Sequence, residues 1–233
     1  MNPVVDPETW RAARREHLEE EKAFTRQRDE LSRRRRELPW TEIAERYELE
    51  GVDGRCDLGD LFGGQSQLVI YHFMYGTDWT EGCVSCSFWA DNFDGIGAHL
   101  AARDTSFAAV SIAPLEQLTA YQTRMGWSFP WYSSAGSQFN YDMGVSFTAE
   151  EVAEGATKYN FGTQPSFGEE SAGISVFNRS DDGRIFLSYQ TFSRGLDMLN
   201  GAYHYLDLTP KGRDEDDLPF TMAWLNRHDS YPA

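Results

Sequence analysis

Two cysteines separated by two residues, Cys83 and Cys86, most constrain how this chain can fold. They stand between a near-continuous apolar run at 67–75, predicted to be a buried strand, and a predicted helix at 84–102. A helix N-terminus presents unpaired N–H groups and a partial positive charge, which favour a thiolate over a thiol. The pair can therefore close a short disulfide, exchange electrons with another thiol pair or bind a soft metal.

The composition is that of a packed globule in a reducing compartment. The 233 residues are 40% hydrophobic and include 15 Phe, 11 Tyr and 7 Trp, and a chain of this length can bury a sizeable core. No apolar run approaches the roughly 20 residues needed to span a bilayer. The N-terminus lacks a basic start followed by an apolar stretch, and three cysteines are too few for a disulfide scaffold. A cytoplasmic location is the resulting prediction.

The negative charge is concentrated after the first 38 residues. The formal net charge is −16, and residues 39–233 hold 11 Arg/Lys against 28 Asp/Glu. Such a surface should repel nucleic acid phosphates and anionic membranes, so neither is expected as a partner. The one basic run, Arg33 to Arg36, is best explained as a solvated helix end.

The spacing of charges and prolines divides the chain into an arm and a domain. Glu and Arg/Lys interleave over 7–38, between Pro7 and Pro39, and predict one long helix. We therefore expect an N-terminal helical arm at 1–39, packed in a homodimer because its apolar stripe is thin. Residues 40–233 read as one α/β domain with a C-terminal extension. Its later strands include a hairpin, 174–178 and 184–189, around Asp181-Asp182-Gly183.

The order strand, cysteine pair, helix, strand, helix, hairpin and helix is that of the thioredoxin fold. Val69–Phe73 with Cys83-Val-Ser-Cys86 resembles thioredoxin, and 127–145 resembles the part of peroxiredoxins that follows their second strand. Taken whole, the chain is similar to a bacterial family of thioredoxin-like proteins of unknown function. The resemblance implies an α/β fold with a central mixed sheet flanked by helices.

The leading functional prediction is a cysteine-dependent thiol–disulfide oxidoreductase or thiol peroxidase-like protein that needs no cofactor. Cys83 would attack a substrate disulfide and Cys86 would resolve the mixed disulfide. The partner is expected to be a thiol or disulfide substrate, either a protein or a small molecule. Four residues are expected to support the pair: Thr80, Trp79, Trp89 and His72. His72 could accept a proton from a thiol, although a buried histidine is more often a satisfied core residue.

The chain departs from both related families at its site. Where thioredoxins carry a cis-proline before the hairpin, this sequence has Ala172-Gly173. Peroxiredoxins carry a threonine three residues before their reactive cysteine, and Thr80 stands at that spacing from Cys83. Their thiolate-stabilising arginine has no single counterpart, and Cys56 could be a distant resolving thiol. Three arginines are candidates: Arg103, Arg124 and Arg194.

A competing hypothesis uses the same cysteines to bind copper. Two thiolates and one imidazole suit copper(I), and Cys83, Cys86 and His204 would form that site. The protein would then be a copper carrier or an oxygen-handling enzyme acting on a small aromatic molecule. Aromatic residues near the pair could line a pocket for such a molecule or belong to the core.

Overall fold

The computed structural model describes residues 2–232, and the chain divides into two compact units, 1–39 and 40–233. The first unit is dominated by α1, Pro7–Arg35, which the Asp6 side chain caps by accepting the backbone N–H groups of Glu8 and Thr9. No residue of α1 is buried, and ion pairs such as Lys22–Glu19 run along its surface. The helix ends at Arg35, three residues before the predicted end at 38. The homodimer expected for this arm stays a prediction.

The second unit alternates strands and helices. Its strands are β1 (Thr41–Ile43), β2 (Glu48–Gly51), β3 (Gly54–Asp57), β4 (Gln67–His72), β5 (Thr105–Ser111), β6 (Trp131–Ser133), β7 (Gly173–Arg179) and β8 (Ile185–Phe192). Its helices are α2 (Val84–Phe93), α3 (Gly97–Ala101), α4 (Leu115–Met125), α5 (Phe139–Asp142), α6 (Ala149–Glu154), α7 (Tyr159–Gly162) and α8 (Gly201–Asp207). Short 3₁₀ segments lie at Asp60–Phe62 and Ser193–Leu199.

The strands of the described chain form one mixed sheet with the order β1-β8-β7-β4-β5-β6-β2-β3. At its centre β4 pairs in parallel with β5 and antiparallel with β7, and β7 pairs antiparallel with β8. The order β5-β4-β7-β8, with the cysteine pair and α2 following β4, is that of a thioredoxin-like fold. The predicted fold class is therefore confirmed.

The sheet separates two hydrophobic clusters because alternate residues of a strand point to opposite faces. On β4 and just beyond it, Tyr71 and Phe73 belong to one cluster, whereas Leu68 and Ile70 belong to the other. Cys86 packs within the first cluster. The central strand therefore decides which side chains can reach the cysteines.

Two predicted elements differ in the structure. The helix expected over 84–102 is divided into α2 and α3, because Gly95 has φ +87°, a left-handed backbone that interrupts a helix. The helix expected to begin near Arg194 starts as a 3₁₀ segment at Ser193. Within residues 2–232, no helix is both long and apolar enough to cross a membrane.

Candidate redox site

Cys83 is the N-cap residue of α2, at the end of the loop that follows β4. Its backbone N–H donates to the carbonyl of Met74 at 3.1 Å, and its carbonyl accepts the Ser87 N–H at 2.9 Å. Gly82 allows this close approach, because a Cβ there would lie 2.7 Å from ring carbons of Phe73 and Tyr121. The loop therefore holds Cys83 against the core while its thiol stays partly exposed.

The environment of Cys83 favours its thiolate. A hydrogen bond from the Cys86 thiol lowers the pKa of Cys83 most, and burial opposes it. The Ser85 side chain and the backbone amides of Cys86 and Ser85 lower it further, and the resulting pKa is about 6. The Ser85 hydroxyl lies 3.1 Å from the Cys83 sulfur. A thiol with this pKa is mostly ionised at neutral pH, as a nucleophile must be.

Cys86 has the opposite character. It is buried at 1% exposure, and burial, followed by the hydrogen bond to Cys83 and the charge of Cys83, raises its pKa well above the usual value. The Tyr71 hydroxyl and the Met74 amide act against that rise, and the Met74 N–H lies 3.4 Å from the Cys86 sulfur. The two thiols thus differ in charge: one is a thiolate and the other a protonated donor.

Two of the predicted supporting residues, Trp79 and Thr80, lie in the loop just before the pair. Thr80 is exposed, and its carbonyl accepts the Tyr75 hydroxyl at 3.3 Å. The lowered pKa of Cys83 comes from Cys86 and Ser85, so the peroxiredoxin-like role predicted for Thr80 is replaced by Ser85. Ser85 lies between the cysteines, where residues are expected to influence the redox potential of the pair. Trp79 packs against the cluster that contains Cys86.

The supporting role predicted for His72 is wrong. His72 lies one residue after Tyr71 on β4 and therefore faces away from the cysteines, against Phe139. It is buried at 1% exposure and hydrogen-bonded to Ser175 at 2.8 Å. Burial lowers its pKa to about 3. His72 is a neutral core residue.

Trp89 is placed as expected, beside the cysteine pair. It lies on α2, one turn after Cys86, and is buried at 5% exposure. Its indole N–H donates to the Leu196 carbonyl at 3.0 Å. This hydrogen bond ties α2 to the 3₁₀ segment that follows β8.

The structure does not assemble the copper site. Among residues 2–232, no group of three or more His, Cys, Asp or Glu side chains is arranged to hold a metal ion. His204 lies exposed on α8, so it does not complete a three-ligand set with the cysteines. Cys56 is also misplaced for a resolving role, since it lies on β3 and packs against the cluster on the other face of the sheet.

Two of the three candidate arginines form ion pairs with carboxylates. Arg124 pairs with Asp229 at 2.7 Å and also with Glu81. Arg194 lies beside the cysteines, and its Nε donates to Asp197 at 2.8 Å. The hydrogen bonds that lower the pKa of Cys83 come from Cys86 and Ser85, not from a guanidinium.

A cavity of about 470 Å³ opens onto both cysteines. Its lining includes Cys83, Ser85 and Cys86 at the start of α2 and a segment of the C-terminal extension, 220–225, which we call the C-terminal wall. Most other lining residues are apolar: Met74, Val84, Trp89, Phe167, Ala172 and Leu196. The sequence placed aromatic residues near the pair but did not identify this C-terminal wall.

One carboxylate organises that wall. Glu215 Oε1 accepts the Tyr203 hydroxyl at 2.8 Å, the Met222 N–H at 3.1 Å and the Trp224 indole N–H at 2.7 Å. Farther along, Arg227 donates to the carbonyl of Gly82, the residue before Cys83, at 2.7 Å. The C-terminal extension is therefore fixed to the loop that carries the nucleophile.

The family model of a bacterial protein of unknown function, DUF899, matches residues 1–231. This chain belongs to that family. The DUF899 match covers both the helical arm and the domain with its cysteine pair. Comparison with curated proteins found no match.

Solved structures similar to this DUF899 chain include several peroxiredoxins. The peroxidoxin BcpB of Mycobacterium tuberculosis is 14% identical, with a TM-score of 0.45, over 70% of this chain and 93% of its own. The bacterioferritin comigratory protein of Xanthomonas campestris is 15% identical, with a TM-score of 0.43, over 69% and 92%. PrxQ of Xylella fastidiosa, in a cysteine-to-serine form, is 14% identical, with a TM-score of 0.41, over 72% and 93%.

Proposed function

We propose that this protein is a thiol–disulfide oxidoreductase in which Cys83 is the nucleophile and Cys86 the resolving thiol. The observation that carries the proposal is the difference between the two thiols. Cys83 has a pKa lowered to about 6 at a partly exposed helix N-terminus, whereas Cys86 is buried with a raised pKa. Only Cys83 is then charged and accessible at neutral pH, as attack on a substrate disulfide requires.

In the first half-reaction, the Cys83 thiolate attacks one sulfur of a substrate disulfide. A bond forms between Cys83 and that sulfur, the substrate S–S bond breaks, and the other half leaves as a thiolate that takes up a proton. Because Cys83 is then neutral, the charge and hydrogen bond that raise the pKa of Cys86 are removed. The Tyr71 hydroxyl and the Met74 amide remain to stabilise a Cys86 thiolate.

In the second half-reaction, Cys86 loses its proton and attacks the Cys83 sulfur. The mixed disulfide breaks, the second substrate thiol leaves, and Cys83 and Cys86 become joined. One substrate disulfide is thus reduced to two thiols while the enzyme dithiol is oxidised. A dithiol reductant returns the enzyme to its starting state.

Disulfide exchange has better support here than peroxide reduction. In the peroxidase interpretation, Thr80 and an arginine would act on Cys83. Thr80 instead presents an exposed side chain, and Arg124 is paired with Asp229. The groups that donate hydrogen bonds to Cys83 belong to Cys86 and Ser85.

Trapping the mixed disulfide tests the proposed function. Cys86→Ser removes the resolving thiol, so reaction with a small disulfide should leave one half covalently attached to Cys83. Peptide mass spectrometry would locate the adduct, and Cys83→Ser should abolish it. Cys56→Ser is the matched control and should change nothing. An adduct on Cys56 alone, or none on Cys83, would overturn the proposal.

A further inference from the structure

The cavity beside the cysteines is of the size used for small ligands. Its volume of about 470 Å³ lies within the roughly 300–1,000 Å³ typical of such sites. Both cysteines are among its lining residues, so a molecule held there would lie next to the pair.

Most of the surface that lines the cavity is apolar, and two of its polar side chains, Tyr159 and Asp197, have partners within the protein. The Tyr159 hydroxyl donates to the Ala172 carbonyl at 2.6 Å. Asp197 accepts from Arg194 and from Arg213, each at 2.8 Å. An occupant therefore meets mainly carbon surface. Transfer of an apolar molecule from water into this cavity is favourable. A charged or strongly polar molecule loses its hydrogen bonds to water there and gains none in return.

The wall formed by 220–225 is held in place by specific contacts. Met222 has φ +71°, a left-handed backbone that is unfavourable for a residue with a side chain. Its N–H is held by Glu215 at 3.1 Å. Such a conformation persists only where surrounding contacts fix it. The wall therefore has a fixed conformation and forms part of the site.

The same features disfavour a protein chain as the substrate. Thioredoxins present substrate-pairing backbone at the position of Ala172, whose carbonyl here is bound by Tyr159. The C-terminal wall lines the same cavity as the cysteines. A polypeptide that reached the cysteines would have to fit beside that wall, which Glu215 and Arg227 anchor.

We infer that the substrate of this site is a small apolar disulfide, bound between α2 and the 220–225 wall with its sulfurs against Cys83. The inference rests on the proposed function and names its substrate class. Apolar groups on the substrate fill the cavity, and the S–S bond is exchanged in the two steps given above.

Two small disulfides of similar length test this inference. Dipropyl disulfide and bis(2-hydroxyethyl) disulfide differ mainly in polarity at their ends. The reduced protein is mixed with each, and the single-turnover rate of Cys83–Cys86 disulfide formation is measured by quenching and mass spectrometry. Each rate is divided by the rate at which dithiothreitol reduces the same disulfide, which corrects for the intrinsic reactivity of that disulfide. We expect the apolar disulfide to be favoured at least tenfold, and insulin disulfides to react more slowly than either.

A variant that fills the cavity tests whether the preference for the apolar disulfide arises there. Ala223 lines the cavity, and Ala223→Leu should lower the corrected rate with dipropyl disulfide at least tenfold while leaving the pKa of Cys83, read from the pH midpoint of alkylation, unchanged. Ala101→Leu, at an exposed position on α3, is the matched control and should change neither. Thermal unfolding of both variants checks folding.

The outcomes separate this inference from the proposed function. Equal corrected rates, a preference for the polar disulfide or for insulin, or an unaffected Ala223→Leu variant would overturn the apolar substrate. The oxidoreductase proposal would stand in each of those cases, because the cysteine pair would still have been oxidised. If no disulfide oxidises the pair, the oxidoreductase proposal fails and the apolar substrate fails with it.

Discussion

The Ser85 hydroxyl lies 3.1 Å from the sulfur of Cys83. A serine between the two cysteines therefore stabilises the charge of the first one, together with the larger contribution of the Cys86 thiol. The proposed chemistry depends on this arrangement, because the thiolate is the reactive form.

Removing that hydroxyl should raise the pKa of Cys83. Hydrogen bonds to charged groups are worth about 1.5–3 kcal/mol and one pKa unit is about 1.4 kcal/mol, so we expect Ser85→Ala to raise the pKa by about one unit. The pH dependence of alkylation measures it. Thr80→Val is the matched control and should leave the pKa of Cys83 unchanged. A shift in the control but not in Ser85→Ala would restore the peroxiredoxin-like role of Thr80.

The glycine before the nucleophile should be intolerant of a side chain. A Cβ at Gly82 would lie 2.7 Å from carbons of Phe73 and Tyr121, and such overpacking costs about 1–3 kcal/mol. We expect Gly82→Ala to lower the free energy of unfolding by that amount in urea denaturation. Gly97→Ala, where a Cβ would have nothing within 4 Å, is the control and should not destabilise the protein. Equal effects would show that the loop is not tightly packed.

His72 should make the protein sensitive to acid. Its pKa is lowered to about 3 by burial, whereas the unfolded chain takes up the same proton near 6.5. The folded state therefore loses stability relative to a His72→Leu variant as the pH falls from about 6.5 towards 3, by at most about 1.4 kcal/mol per pH unit. Above 6.5 the difference between the two proteins should be constant. A difference independent of pH throughout would mean that His72 is hydrated.

Loss of the Glu215 carboxylate should loosen the C-terminal wall. Glu215→Ala leaves the Met222 N–H and the Trp224 indole N–H without their acceptor, and an unsatisfied buried donor costs about 1–3 kcal/mol. We expect faster hydrogen exchange at Met222 and faster alkylation of Cys86. The neighbouring Asp216→Ala, at an exposed position, should change neither. Unchanged exchange in Glu215→Ala would show that other contacts hold the wall.

The order of elements made much of the fold predictable. The apolar run at 67–75 is typical of a buried strand, and the structure has a strand at Gln67–His72. A cysteine pair between such a strand and a helix favours a thioredoxin-like arrangement. The break at Gly95 was harder to foresee, since a single glycine is tolerated within many helices. Its φ of +87° depends on the packing of α2 and α3.

The site was predictable only where it is local in sequence. Cys83, Cys86 and Trp89 lie within one segment, and their proximity follows from helical spacing. Either Tyr71 or His72 could point to the cysteines, because neighbouring residues of a strand face opposite sides of the sheet. Both residues are buried, so the pattern of hydrophobic and polar residues does not show which of the two does. The wall at 220–225 is far from the cysteines along the chain, and it reaches the site through contacts such as Arg227 to Gly82.

The pH dependence of alkylation at Cys83 tests the central claim most directly. The Cys56→Ser protein would be treated with iodoacetamide at a series of pH values, and the modified Cys83 peptide quantified by mass spectrometry. We predict a midpoint at a pH of about 6, because the pKa of Cys83 is lowered by Cys86, Ser85 and the backbone amides at the start of α2. A midpoint near 9, the ordinary thiol value, would contradict the account.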